Sequence, residues 1–176
     1  MGEDHRDTLF SATFLAANLR HLGEMQAAYD LAQDTLDRSR RVLGEDDPDT
    51  LYAANSLVNA LRELGEVQAA RDLGQDTLDR SRRVLGVDHP DTLYAANCLA
   101  NALRELGDVK ASRDLDRDIL ARRRRVLGED HPMTLGTASH LATDLRKLGE
   151  VHSARDLDRD ILAAADKSWA RTTPTP

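Results

Sequence analysis

Tyr52, Asn55, Asn59 and Arg62 fall three and four residues apart, and Tyr94, Asn97, Asn101 and Arg104 repeat the set 42 residues later. On a helix this spacing gathers each set into one polar row. The chemistry such a row offers is recognition. Asparagine amides can pair with the main chain of an extended peptide, arginine can take a carboxylate through two parallel hydrogen bonds, and tyrosine presents a flat amphipathic surface. Asparagine is also a weak helix former, so two in each helix interior carry a local cost that a binding role would explain.

Other residue types recur without forming a reactive constellation. His5, His89 and His131 share one place in three copies, and Asp47 holds it in the remaining one. Histidines one repeat apart cannot meet a common metal at about 2 Å, so the expectation is that they serve helix starts and hold no metal. Arg122 to Arg125 point in four directions around a helix, with Asp114, Asp116 and Asp118 just upstream, which predicts a solvated, salt-bridged helix end rather than a nucleic-acid patch. Cys98 sits where the other copies carry Phe14, Ser56 and His140, so a dedicated reactive thiol is not expected there. No nucleophile elbow, two-histidine zinc motif or phosphate-cradling glycine loop is present. The chain reads as a non-enzyme that needs no cofactor.

What positions the rows is a repeat. Gly44, Gly86 and Gly128 open GEDDPDTL, GVDHPDTL and GEDHPMTL, Gly2 opens the variant GEDHRDTL, and residues 44–85 match residues 86–127 at 30 of 42 positions. The four copies are residues 2–43, 44–85, 86–127 and 128–169, followed by a tail at 170–176 that is expected to be disordered. A fixed period of this size marks an array in which each unit buries its apolar face on its neighbours. Within the third copy, Leu93, Ala96, Leu99, Ala100, Leu103 and Leu106 predict a first helix. It starts at Pro90, and Gly107 closes it in the left-handed conformation. A second helix is predicted from Val109 to Leu127, with Leu115, Ile119, Leu120, Val126 and Leu127 apolar, an acid at its start and arginines at its end. One or two residues between the helices force an antiparallel hairpin, and no segment alternates as a strand would.

Composition narrows the partners. The net charge is −7, from 31 acidic and 24 basic residues, which disfavours nonspecific attraction to nucleic acid or an anionic membrane. Aromatics are only 3 %, so the interior must be built from leucine, alanine and valine with closely spaced helices. One cysteine, no apolar run approaching a membrane span and no basic-then-apolar leader predict a cytoplasmic protein. The last copy replaces the usual arginines and Val-Leu by Ala163, Ala164 and Ala165 leading into Asp166, Lys167, Ser168 and Trp169. The first copy has Arg6 where the others have proline. Neither end carries a polar capping helix, which predicts a piece of a longer array with ends able to associate head to tail.

A helix pair with Leu-Gly at its turn, a small residue at Ala28, Ala70, Ser112 and Ala154, and a closing VLGxDHPDT resembles the tetratricopeptide repeat. The 42-residue period resembles the form found in kinesin light chains and in sensor arrays of bacterial signalling ATPases, and the resemblance covers residues 2–169. It implies an all-α, right-handed superhelical solenoid of four antiparallel helix-turn-helix repeats whose first helices line a concave groove. The groove side chains it implies are Tyr52, Asn55, Asn59, Arg62 and Glu63, then Tyr94, Asn97, Asn101, Arg104 and Glu105. The first repeat offers Phe10, Thr13, Ala17, Arg20 and His21, and the last offers Gly136, Ser139, Thr143, Arg146 and Lys147. The sequence departs from the family at Ala32, Gly74, Asp116 and Asp158, where an aromatic is usual. The implied function is a protein interaction module holding a peptide or protein segment. The alternative is a structural spacer or self-assembling array, and size measured across a concentration range separates the two.

Overall fold

The computed structural model describes residue 2 and residues 4–172 of the 176-residue chain, with side chains as far as residue 164. Eight α-helices are described, in four pairs. They are α1 (Arg6–His21), α2 (Met25–Leu43), α3 (Pro48–Glu63), α4 (Val67–Val84), α5 (Pro90–Glu105), α6 (Val109–Leu127), α7 (Pro132–Lys147) and α8 (Val151–Thr172). Because α8 continues to Thr172, residues 170–172 of the expected tail are helical, and residues 173–176 lie outside the described residues.

Each first helix starts on the capping residue that the sequence places there. His5, His89 and His131 each accept the amide of the residue two further on through Nδ1 at 3.2 Å, and Asp47 does the same through Oδ1 at 2.9 Å. These are N-caps, and the proline that follows in α3, α5 and α7 has no amide hydrogen to leave unpaired. The turn inside each hairpin closes on a glycine. At Gly65, with φ +86°, the Gly65 amide donates to Arg62 O and the Glu66 amide to Leu61 O, which satisfies carbonyls left over at the end of α3.

The chain divides into two compact units, Met1–Leu106 and Gly107–Pro176, at the turn between α5 and α6 and therefore inside the third repeat. In the first unit, α1 to α5 pack in sequence, and α1 with α3 and α3 with α5 also meet directly, whereas α2 and α4 do not approach each other comparably. The first helices are thus the closer-spaced layer. Small side chains permit this: Ala53, Ala54, Ala60, Ala95, Ala96 and Ala102 are all buried. Leu36, Leu57, Val58 and Leu61 share one core with Ala53, Ala54 and Ala102, and each fully buried leucine or valine contributes about 1.5–3 kcal/mol. Arg6 reaches from the start of α1 to Asp47 at 3.2 Å and Asp49 at 2.5 Å, tying the starts of α1 and α3 together.

In the second unit α7 packs on both α6 and α8 around Leu120, Ala138, Leu141, Ala142, Leu145 and Ala154. Its interior is more polar than expected. Ser112 Oγ donates to Asp144 Oδ2 at 2.7 Å, and both residues are fully buried. Arg123, expected in a solvated helix end, is also buried and donates to Met133 O at 3.0 Å and to Thr137 Oγ1. Its neighbours follow the expectation: Arg122 pairs with Asp118 at 2.8 Å and Arg124 lies 3.8 Å from Asp160. Of the predicted apolar stripe, Leu93, Ala96, Leu99, Ala100, Ile119 and Leu120 are buried, but Leu106 and Val126 are exposed. Leu106 is the C-cap of α5 and Val126 lies in the last turn of α6.

Candidate functional site

The face on which the recognition rows converge is the closer-spaced layer of the first unit, formed by α1, α3 and α5. Aromatic rings run along it. Phe10 and Phe14, one turn apart on α1, meet edge to face at 4.8 Å between centroids. Tyr52 of α3 lies 6.2 and 5.9 Å from the two phenylalanines, and Tyr94 of α5 stacks on Tyr52 at 6.1 Å. Four of the chain's five phenylalanine and tyrosine residues stand in this one row. Phe10 and Phe14 are 44 % and 46 % exposed, so these rings are held at the surface rather than in the core. Beside Tyr52 and Tyr94 the row opens into a shallow recess walled by Thr13, Ala17, Arg20, Ser56 and Asn59.

The asparagines do not form the open polar row expected of them. Asn55 is 1 % exposed and Asn59 8 %. Stacking explains this, since α3 is flanked on one side by α1 and α2 and on the other by α4 and α5, so positions opposite its leucines are also covered. Asn59 is tied into the interior, with Nδ2 donating to Tyr94 Oη at 3.1 Å and to Cys98 Sγ at 3.5 Å. The Asn55 carbonyl oxygen is buried without a hydrogen-bond donor among the described residues. Asn97 and Asn101 are half-buried, and Asn101 Oδ1 accepts from Arg104 at 2.7 Å. Burial raises the Tyr52 and Tyr94 phenols above their ordinary pKa. It pushes the Cys98 thiol up to about 11, so the thiolate is suppressed.

Of the arginines expected to receive a ligand carboxylate, Arg20 and Arg62 are closed on the protein's own acids, while Arg104 donates to Asn101 Oδ1. Arg20 of α1 pairs with Glu63 of α3, and Arg62 of α3 pairs with Glu105 of α5 at 3.1 Å while lying 3.8 Å from Glu63. An arginine and a glutamate 43 residues apart, one more than the period, are the sequence signal for this ladder, and Phe14 one turn after Phe10 is the signal for the doubled ring. In the second unit Arg146 is likewise engaged, with Asp158 at 2.7 Å and Thr143 Oγ1 at 3.4 Å. Thr143 itself donates to Ser139 O at 3.0 Å, and Ser139 is exposed. Around Arg20 and Arg62, what remains open on the first unit's face is therefore aromatic, with the Ser56 hydroxyl beside it, rather than cationic.

The profile of the tetratricopeptide repeat matches residues 8–49, 50–91, 92–132 and 134–165. No curated protein matches the chain by sequence. Among solved structures, a crystal structure of the Podosopora anserina putative kinesin light chain nearly identical TPR-like repeats, in a form carrying one substitution, superposes with a TM-score of 0.80 at 24 % identity, covering 97 % of this chain and 80 % of that one. BtubC (BKLC) from P. vanneervenii gives 0.79 at 19 % identity over 96 % of this chain and 67 % of its own. The Rap protein complexed with competence and sporulation factor gives 0.76 at 17 % identity over 92 % and 44 %.

Proposed function

The chain belongs to the tetratricopeptide-repeat family and is a protein interaction module of that helical-repeat kind, and on that premise we propose that it takes an extended polypeptide segment along the face formed by α1, α3 and α5. The observation that carries this reading is the row Phe10, Phe14, Tyr52 and Tyr94. In a chain with 3 % aromatics, rings kept at the surface offer a ligand large contact area at low entropy cost. The Arg20–Glu63 and Arg62–Glu105 pairs shift the chemistry of that ligand away from the acidic segment that a bare arginine row would suit. The segment the face suits presents apolar side chains to the rings, with main-chain groups in reach of Ser56. That the same fold in the Rap protein is seen with competence and sporulation factor is support by analogy.

Selection of displayed peptides against the folded protein tests this. The selected sequences should carry two large apolar residues spaced to meet the ring row. Phe10→Ala with Phe14→Ala should weaken the best of them at least about tenfold, or about 1.4 kcal/mol, with the circular dichroism unchanged. Full-strength binding by that double variant moves the site off this face.

A further inference from the structure

The two ends of the chain carry the two halves of an interface that the protein already makes internally. On α6, residues 113–120 read RDLDRDIL, and the same eight residues recur on α8 at 155–162. In α6 this segment seats α7. Leu120 is 4 % exposed among Ala138, Leu141 and Ala142, and Arg113 and Arg117 hold Glu150 at 2.9 and 3.1 Å. On α8 the equivalent Leu162 is 66 % exposed, and Arg155 and Arg159, with side chains 59 % and 67 % exposed, lie 4.0 and 3.7 Å from Asp156, their one acidic contact among the described residues. At the other end, α1 carries Ala12, Leu15, Ala16 and Leu19 where α7 carries Ala138, Leu141, Ala142 and Leu145. Leu15 is 53 % exposed, whereas its counterparts Leu57, Leu99 and Leu141 are 3 %, 2 % and 5 % exposed. Glu24 stands where Glu150 stands, is exposed and makes no capping hydrogen bond.

We infer that a second copy of this chain covers each end: the outer face of α8 in one copy receives the outer face of α1 in the next, as α6 receives α7. Leu162 then packs on Ala12 and Leu15 of the neighbour, and the neighbour's Glu24 sits between Arg155 and Arg159. Both the apolar and the charged parts match, and the internal junction supplies the geometry. The contact is heterologous, so it leaves one free face of each kind at which a further copy can add. It is weaker than the internal junction because Ala154 stands where Ser112 has its hydroxyl and Asn18 where Asp144 has its carboxylate. This site is distinct from the aromatic row and stands or falls independently of it.

Sedimentation velocity of the full chain from about 1 µM to about 1 mM should show mass growing beyond a dimer. Leu15→Glu blocks the α1 face and Leu162→Glu blocks the α8 face, both at exposed positions where circular dichroism should show the fold unchanged. Each variant alone should be monomeric, and an equimolar mixture should form a 1:1 dimer that grows no further, because the open α8 face of one variant takes the open α1 face of the other and only the two blocked faces are left. A wild-type protein that stays monomeric throughout overturns the inference and leaves the end faces to another occupant. A variant that still self-associates alone overturns it in favour of a symmetric contact between like faces.

Discussion

Gly74 occupies the middle of α4 at a place held by Ala32 in α2, with ordinary helical backbone, so its conformational freedom serves nothing there. A methyl group at this position would meet Leu99 of α5 at 3.6 Å, an ordinary van der Waals contact. Gly74→Ala should therefore raise the unfolding free energy by about 1 kcal/mol in urea titrations. A loss instead would mean that the α4–α5 approach has no room for it. Cys98 gives a second residue-level test through its acidity. Its pKa in the folded protein, about 11, lies above its ordinary value of 9.0, so the stability linked to the protonated thiol is whole below pH 9.0 and is lost as pH rises through about 11. The native thiol should resist an aromatic disulfide at about pH 8. The wild type should lose stability relative to Cys98→Ala across the alkaline window, and a flat difference between the two would place the thiol in water.

At the scale of the element, one of the differences between the internal junctions of the two units is a coupled buried pair. The first unit buries Ala70 and Ala102 where the second buries Ser112 and Asp144. Ser112→Ala removes a donor from a fully buried carboxylate and should cost about 1–3 kcal/mol, while the double change Ser112→Ala with Asp144→Ala recreates the apolar pair and should restore most of that loss. Losses that simply add would show that the two side chains act separately. Helix boundaries were legible in the sequence because their causes are local: the expected end of α5 at Gly107 and the span Val109–Leu127 of α6 follow from glycine, proline and capping residues. Burial was less legible because an amphipathic helix is read as having one covered side. In stacked hairpins α3 is covered on two, which places Asn55 and Asn59 inside, and Arg123 is buried by a neighbour that its own helix does not reveal. The candidate site was half legible for the same reason. Tyr52 and Tyr94 stand where the period puts them, but Arg20 and Arg62 are closed by glutamates that only the stacking of repeats brings near.

For the molecule as a whole, stability should divide along the line of nearest-neighbour packing rather than belong to one global core. The first unit has its own cluster from Ala16 to Ala102, and the second has another from Leu120 to Ala154. Deleting residues 128–176 removes α7 and α8 and strips α6 of the face that buries Leu120. It also takes Asp144 from Ser112, Glu150 from Arg113 and Arg117, and the Met133 carbonyl and Thr137 hydroxyl from the buried Arg123 guanidinium. The lost leucine burial alone, Leu141 and Leu145 with Leu120, is worth several kcal/mol at about 1.5–3 kcal/mol per side chain. The unfolding midpoint should fall, and amide exchange should show where: protection lost in α6 but kept in α3, whose neighbours α1, α2, α4 and α5 are all still present. Uniform loss of protection from α1 to α6 would mean that the whole chain folds as one cooperative body. An unchanged midpoint would mean that the last hairpin contributes nothing to the rest, and either result would replace the linear array with a different account of how these repeats hold one another.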